Sequence, residues 1–260
     1  SLSGGDRRAR FAFKTHQRLK KMDPTLEIPE VIYSDDNLVA INKPPSMLVH
    51  RTKLDAHETV FALQWVRDYI GQRVYPLHRL DKATSGVLAF AKSPEVARHW
   101  SEAWHTDAVN KDYLALVRGW PNSEGTIDHP LRDPDSAPDS PRKESETTFK
   151  IISKYLINIK IDRYEMSRFS LLQLSPLTGR RHQLRQHLKH INHPIIGDVR
   201  YGKGTYNRWA RDQFGETRLL LHAHQLRLND GATRITITAP PNRHLRQTFE
   251  FFRDNTLTTE

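Results

Sequence analysis

The apolar and polar positions of this chain fall into many short strand-like runs and switch to a helical period in only a few places. Glu30-Val31-Ile32-Tyr33 and Leu38-Val39-Ala40-Ile41-Asn42-Lys43 read as two strands joined at Ser34-Asp35-Asp36-Asn37. Pro44-Pro45 ends the second, because proline has no N–H to give a ladder. Strand-like runs recur at 87–91, 111–117, 147–161, 168–174, 219–226 and 233–238. Helical spacing marks Thr59 to Ile70, where Val60, Leu63, Val66 and Ile70 share a face and Gly71 is the stop. A second helix opens at Ser93-Pro94, serine as cap and proline at the first position, with Val96, Trp100 and Trp104 as a core stripe. Thr178 to Ile191 and His244 to Phe252 complete the set, and residues 202–215 read as a loop with one short helix. Residues 132–146 hold three prolines and no large apolar side chain, which is the composition of a surface loop. Many strands and few helices imply an α+β fold: a mixed, largely antiparallel central sheet flanked by helices and loops.

Charge adds the second constraint. The net charge is +10, and two segments hold all of the excess. Residues 1–24 carry seven Lys/Arg against Asp6 and Asp23, and residues 178–212 carry eight against Asp198 and Asp212. Clustered cations of this kind suit a polyanion such as a nucleic acid. The chain has no cysteine, so disulfides, thiolate nucleophiles and cysteine-bound zinc are excluded. No apolar run approaches the ~20 residues of a membrane span, and no apolar segment follows the N-terminal basic residues as in a signal peptide. The expectation is a cytoplasmic protein with no membrane partner and no obligate protein partner. Residues 1–24 read as a basic N-terminal arm, and residues 25–260 as one domain.

The most specific string is His78-Arg79-Leu80-Asp81-Lys82-Ala83-Thr84-Ser85-Gly86. Its hydroxyl-bearing and glycine residues are turn chemistry, ahead of the strand-like Val87–Ala91, so an aspartate there is presented rather than buried. An aspartate beside a turn is ordinarily only a cap. The whole string, however, resembles the active-site signature of the RluA family of pseudouridine synthases, His-Arg-Leu-Asp followed by a Ser-Gly or Thr-Ser-Gly turn. That resemblance implies the pseudouridine synthase catalytic fold and assigns the catalytic role to Asp81, with His78 and Thr84 around it. It also matches Arg79 to the arginine that enters the RNA helix where the target base stood.

Three more segments carry the same resemblance. Lys111-Asp112-Tyr113 is similar to the family's Lys-x-Tyr, whose tyrosine stacks on the target base, which implies Tyr113. Thr178-Gly179-Arg180-Arg181-His182-Gln183-Leu184-Arg185-Gln186-His187-Leu188 is similar to Thr-Gly-Arg-x-His-Gln-Leu-Arg-x-His, whose second arginine pairs with the catalytic aspartate and corresponds to Arg185. Arg180 and Arg181 are then substrate contacts, Arg181 as an additional phosphate ligand where the family often has Ser or Thr. Arg218-Leu219-Leu220-Leu221-His222-Ala223 is similar to Arg-Leu-x-Leu-His-Ala, which places Leu220 or Leu221 under the base. The Asn-Lys-Pro at the end of the second strand also matches.

The chemistry implied is cleavage of the uridine C1′–N1 bond and rejoining through C5, on a nucleotide turned out of its helix. It needs one ionised carboxylate, a cation beside it and a flat ring to retain the uracil. It neither oxidises nor hydrolyses, so no cofactor is called for. His182, His187, His190 and His193 lack the His-x-x-x-His spacing of helical zinc pairs and have no acid among them, so no metal is expected. Within the family the resemblance is to members acting on a uridine in the tRNA T-stem. A ribosomal-RNA synthase and a non-catalytic RNA-binding or RNA-folding protein are the alternatives.

Overall fold

Leu38 to Ile41 is apolar without alternation, and such a run forms a strand only where both faces are covered. The computed structural model, which describes residues 27–49, 61–216 and 218–257, shows this. Strand β2 (Leu38–Lys43) is buried from Leu38 to Ile41 and pairs antiparallel with β1 (Glu30–Ser34) on one side. Its other neighbour is β4 (Ser85–Ala91), in which every residue is buried. The short β3 (Tyr75–Pro76) also pairs with β4. The β1–β2 turn is closed by Asp35, whose Oδ1 accepts from the amides of Asn37 at 2.8 Å and Leu38 at 2.6 Å. The basic arm expected over 1–24, and the first residues of the helix expected from Thr59, lie outside the described residues.

These strands belong to the first of two units into which the chain divides, which runs to Trp104 and takes in Ile237–Ala239. It also holds helix α1 (Ala62–Ile70) and helix α2 (Pro94–Ala103). Gly71, at φ 78°, ends α1 by donating its amide to the Arg67 carbonyl, a conformation that favours glycine. Ser93 caps α2 through its hydroxyl, which accepts from the Val96 amide at 3.3 Å, and Pro94 opens the helix. Of the tryptophan stripe expected to be core, only Trp100 is buried. Trp104 instead stacks on the His78 ring, with centroids 5.0 Å apart.

The second unit holds His105–Thr236 and the chain from Pro240. Its strands are β5 (Val109–Arg118), β6 (Glu124–Asp128), β7 (Glu146–Ile157), β8 (Ser167–Pro176) and β9 (Leu221–Asn229). They pair antiparallel in the order β9-β5-β8-β7-β6. Strand β6 is too short and polar to show an apolar alternation, and its ladder with β7 is what makes it a strand. Strand β10 (Arg234–Thr238) matches the expected run. The expected helix over 178–191 is shorter: α3 spans Gln183–His190, because Thr178–His182 forms a turn and His182 sits at φ 54°. Residues 202–215, expected to be mostly loop, contain the eleven-residue helix α4 (Gly204–Phe214), which Gly215 ends at φ 83°. Helix α5 (Arg243–Asn255) is capped by Asn242. Phe169 of β8, Trp209 and Phe214 of α4, and Phe252 of α5 form an aromatic core in this unit.

Candidate active site

The register of β2 against β4 sets Lys43 opposite Gly86, so the end of one strand meets the turn that leads into the other. Lys43 is fully buried. Its ammonium donates to the carbonyls of Pro44 at 2.9 Å, Met47 at 2.8 Å and Lys82 at 3.1 Å. The Ser46 amide reaches the same Lys82 carbonyl at 2.8 Å, and the Thr84 amide closes the turn on the Asp81 carbonyl at 3.0 Å. Asp81 is half-buried on this pinned turn, Arg79 is exposed, and Thr84 and Ser85 are buried. His78 is fixed by its stack on Trp104 and accepts the Ala89 amide at its Nε2, 3.2 Å away. The carboxylate is thus held by its backbone and presented by its surroundings.

Burial pushes the Lys43 ammonium down to about 7, with the Asp81 charge pulling the other way. Near neutrality the lysine therefore passes between its two forms inside the protein, whereas the unfolded chain stays protonated up to about pH 10. Between those values the unfolded state binds more protons, so stability rises with pH. Urea midpoints for wild type are expected to climb from pH 7 to pH 9 by more than those of Lys43→Met. Equal slopes would remove Lys43 from this role.

In the second unit, Tyr113 lies on β5, paired with Leu174 on β8 and Ala223 on β9. Directly before it the β5–β9 register shifts, Asp112 facing Gln225 and Tyr113 facing Ala223, which leaves His224 unmatched. A bulge of this kind re-aims the neighbouring side chains. Asp112 is anchored from below by the Ser175 hydroxyl at 2.6 Å and by Arg227 at 2.8 Å. Ala115 pairs with Leu221, so Leu221 shares a sheet face with Tyr113, two residues along. Leu220, also buried, bridges by backbone bonds to Leu116 and Ile196.

The Thr178–Gln183 turn is assembled around one amide. The Gln183 side-chain oxygen accepts from the Thr178 hydroxyl at 2.7 Å and the Arg180 amide at 2.9 Å. Its nitrogen donates to the Glu146 carbonyl at 2.9 Å and the Thr147 hydroxyl at 3.0 Å. One turn on, His187 contacts the Thr147 hydroxyl and the His129 carbonyl. These contacts fix α3 against β7 and with it Arg185. Arg185 engages Asp198 in a two-bond fork, Nε to Oδ2 and Nη2 to Oδ1, both at 2.8 Å. Its guanidinium lies 5.2 Å from the Tyr201 ring centroid. Asp198 also accepts the Arg200 and Tyr201 amides at 3.0 Å each. Burial by itself raises this carboxyl, but the Arg185 hydrogen bonds and charge, with the two amides, outweigh it and hold it below the usual carboxylate range.

Arg181, expected to meet a phosphate, pairs with Asp135 at 2.5 Å, and Arg200 meets the same carboxylate at 3.1 Å. The loop of residues 132–146 is therefore tied to two cations. Arg180 is exposed and donates to the Glu144 carbonyl. The histidines of the second basic segment have ordinary partners: His182 the Tyr201 hydroxyl, His193 the Arg118 carbonyl, and His190 a stack on His129.

Lys43, which braces the Asp81 turn, and Asp198, which braces Arg185, are not among the residues singled out from the sequence. Lys43 had a signal in Asn-Lys-Pro, a cation ending an apolar strand. Asp198 had only its place in Ile-Ile-Gly-Asp, thirteen residues after Arg185.

The first unit thus presents a pinned aspartate on its His-Arg-Leu-Asp turn, and the second carries the tyrosine of β5 and a braced arginine on α3. The chain matches the RNA pseudouridylate synthase family over residues 37–190, and it belongs to that family of enzymes, which isomerise uridine in RNA to pseudouridine. Among curated relatives, tRNA pseudouridine synthase C of Vibrio vulnificus (strain CMCP6) is 41% identical over 232 residues, covering 86% of this chain and 95% of the relative. The protein of the same name from Haemophilus ducreyi (strain 35000HP / ATCC 700724) is 44% identical over 232 residues with the same coverage. Two solved structures share the α+β fold. Human RNA Pseudouridylate Synthase Domain Containing 4 has a TM-score of 0.66 at 23% identity, covering 93% of this chain and 98% of that one. Human RNA Pseudouridylate Synthase Domain Containing 1 has a TM-score of 0.64 at 24% identity, covering 90% and 98%. No helix among the described residues is long and apolar enough to cross a membrane.

Proposed function

We propose that this enzyme converts one uridine of tRNA, in the T-stem, to pseudouridine in the cytoplasm. The observation that carries tRNA over ribosomal RNA is the 41–45% identity, along most of the chain, to proteins named for tRNA. In this reading the target nucleotide turns out of its helix, with Arg79 entering the space it leaves. The Asp81 carboxylate acts on the nucleoside as nucleophile or base, the C1′–N1 bond breaks, and the freed uracil rotates against the Tyr113 ring with Leu221 or Leu220 beneath it; any bond made to Asp81 is broken again, and the carboxylate is regenerated, as the new glycosidic bond is completed. C5 then bonds to C1′, the C5 proton leaves to solvent, and N1 ends with a proton, so the reaction is a net isomerisation. Arg185 provides the cation paired with Asp81, and the exposed Arg180 takes a backbone phosphate.

The test is release of tritium from transcripts labelled at uridine C5. We expect one equivalent per tRNA and none from ribosomal RNA. Release from ribosomal RNA alone would replace the tRNA assignment, and mapping of the modified position would confirm or refute the T-stem.

A further inference from the structure

The β7–β8 connection, residues 158–166, and one face of α4 enclose an open groove of about 380 Å³ in the second unit. Lys160 and Ile161 line it from the connection, and Thr205, Arg208, Trp209 and Gln213 from the helix. The helical residues recur at steps of three, one and four, so they form one stripe. The active-site strings around Asp81, Tyr113, Arg185 and Leu221 all lie outside this stripe.

Its chemistry is that of a nucleotide. Trp209 packs on Phe169 and Phe252 behind the groove, which fixes its ring as a rigid wall, and Ile161 is an apolar neighbour. Aromatic walls hold any base by its face. Gln213 brings an amide able to donate and accept. Arg208 and Lys160 are exposed cations. Asp212 also lines the groove, but it is engaged by Arg211, as Lys160 is by Glu165. Positive charge continues around it: Asp162 is held below the usual carboxylate range by its hydrogen bond from Lys203 and by the Lys203, Arg163 and Arg118 charges. Arg163 covers the exposed ring of Tyr164, with 4.9 Å from guanidinium to centroid. Cations interleaved with exposed aromatics are the pattern of single-strand recognition. The volume suits one nucleotide, and a duplex is far too wide for it.

We infer that this groove binds a second, unpaired nucleotide of the RNA substrate, its base against Trp209 and its phosphates on Arg208 and Lys160, apart from the uridine that reacts. The inference rests on RNA being the substrate and deepens the tRNA reading. The occupied groove fixes how the RNA is gripped and leaves the chemical step alone.

The full-length double variant Lys160→Gln/Arg208→Gln changes two exposed side chains and tests this against the charge-matched control Arg67→Gln/Arg98→Gln. We expect Kd and KM for tRNA to rise about tenfold in the groove variant, with kcat at saturating tRNA unchanged. The dependence of log binding constant on log salt should become shallower by about 1.4, the share of two single-strand phosphate contacts. A photo-crosslinking residue in place of Gln213 should give an adduct at one unpaired nucleotide. The inference is overturned if Kd is unchanged, if the control weakens binding equally, or if adducts spread over paired stems. Failure of the tRNA reading itself would look different: wild type would not turn over tRNA at all, and the same measurements would be made on the RNA it does modify.

Discussion

Asp81→Asn is expected to bind tRNA within about twofold of wild type while single-turnover isomerisation falls by about 10⁴-fold. The substitution keeps size and planarity, and the turn that carries the residue is held at its main-chain carbonyls: the Thr84 amide on that of Asp81, and the Lys43 ammonium and the Ser46 amide on that of Lys82. The turn should therefore survive. What disappears is the only atom type at that position able to bond to an electron-poor sugar or base carbon. Binding is measured by filter retention and chemistry by rapid-quench tritium release. Residual turnover within tenfold of wild type would transfer the role to another residue, and a large loss of affinity would mean that the carboxylate shapes the RNA site as well.

Asp198→Asn is expected to have the second-largest effect, on stability and turnover together. The Arg185–Asp198 fork is almost wholly removed from water, with side-chain exposures of 8% and 1%. An asparagine would turn a donor toward a guanidinium that has only donors. Breaking one side of a buried pair costs about 3–5 kcal/mol, because the surviving charge is left without its partner. For a chain of this size that is a fall of about 10 °C in Tm. A shift of Arg185 by about 1 Å should lower turnover about 100-fold. The acid side carries a separate signature. The folded Asp198 carboxyl lies below its unfolded value, so its contribution is complete above about pH 4 and is lost as pH falls through the folded value. The variant should lack that part of the acid transition. Wild-type stability in Asp198→Asn would show the fork to be dispensable; lost stability with unimpaired turnover would confine it to folding.

How much could be read before folding depends on how local the cause is. Asp81 is legible because a string of nine neighbours carries it, and the Ser93-Pro94 helix start is legible because a cap acts within one turn. Lys43 is legible only as part of Asn-Lys-Pro and not in its burial, since its three carbonyl partners come from Pro44, Met47 and Lys82, and the last arrives only when β2 pairs with β4. A lysine in sequence reads as solvated. Asp198 fails for the same reason, as its partner is on another element. Strand β6 owes its existence to its neighbour β7. The short helix expected within 202–215 is longer in the structure, because glycine and asparagine weaken a helix prediction although here they stand at its start and inside it. The Tyr113 string was legible, but the bulge before it was not, since a register shift belongs to a pair of strands.

Helix α4 serves two neighbourhoods at once. Asn207 accepts the Gly197 amide and donates to the Asp198 carbonyl, each at 2.8 Å, while the stripe through Arg208 and Trp209 lines the groove. Engineers who wish to retarget the enzyme thus have a natural division of labour: positions 205, 208 and 213 of the groove stripe can be randomised as a library, provided position 207 is frozen as the keel and the core ring of Trp209 is kept.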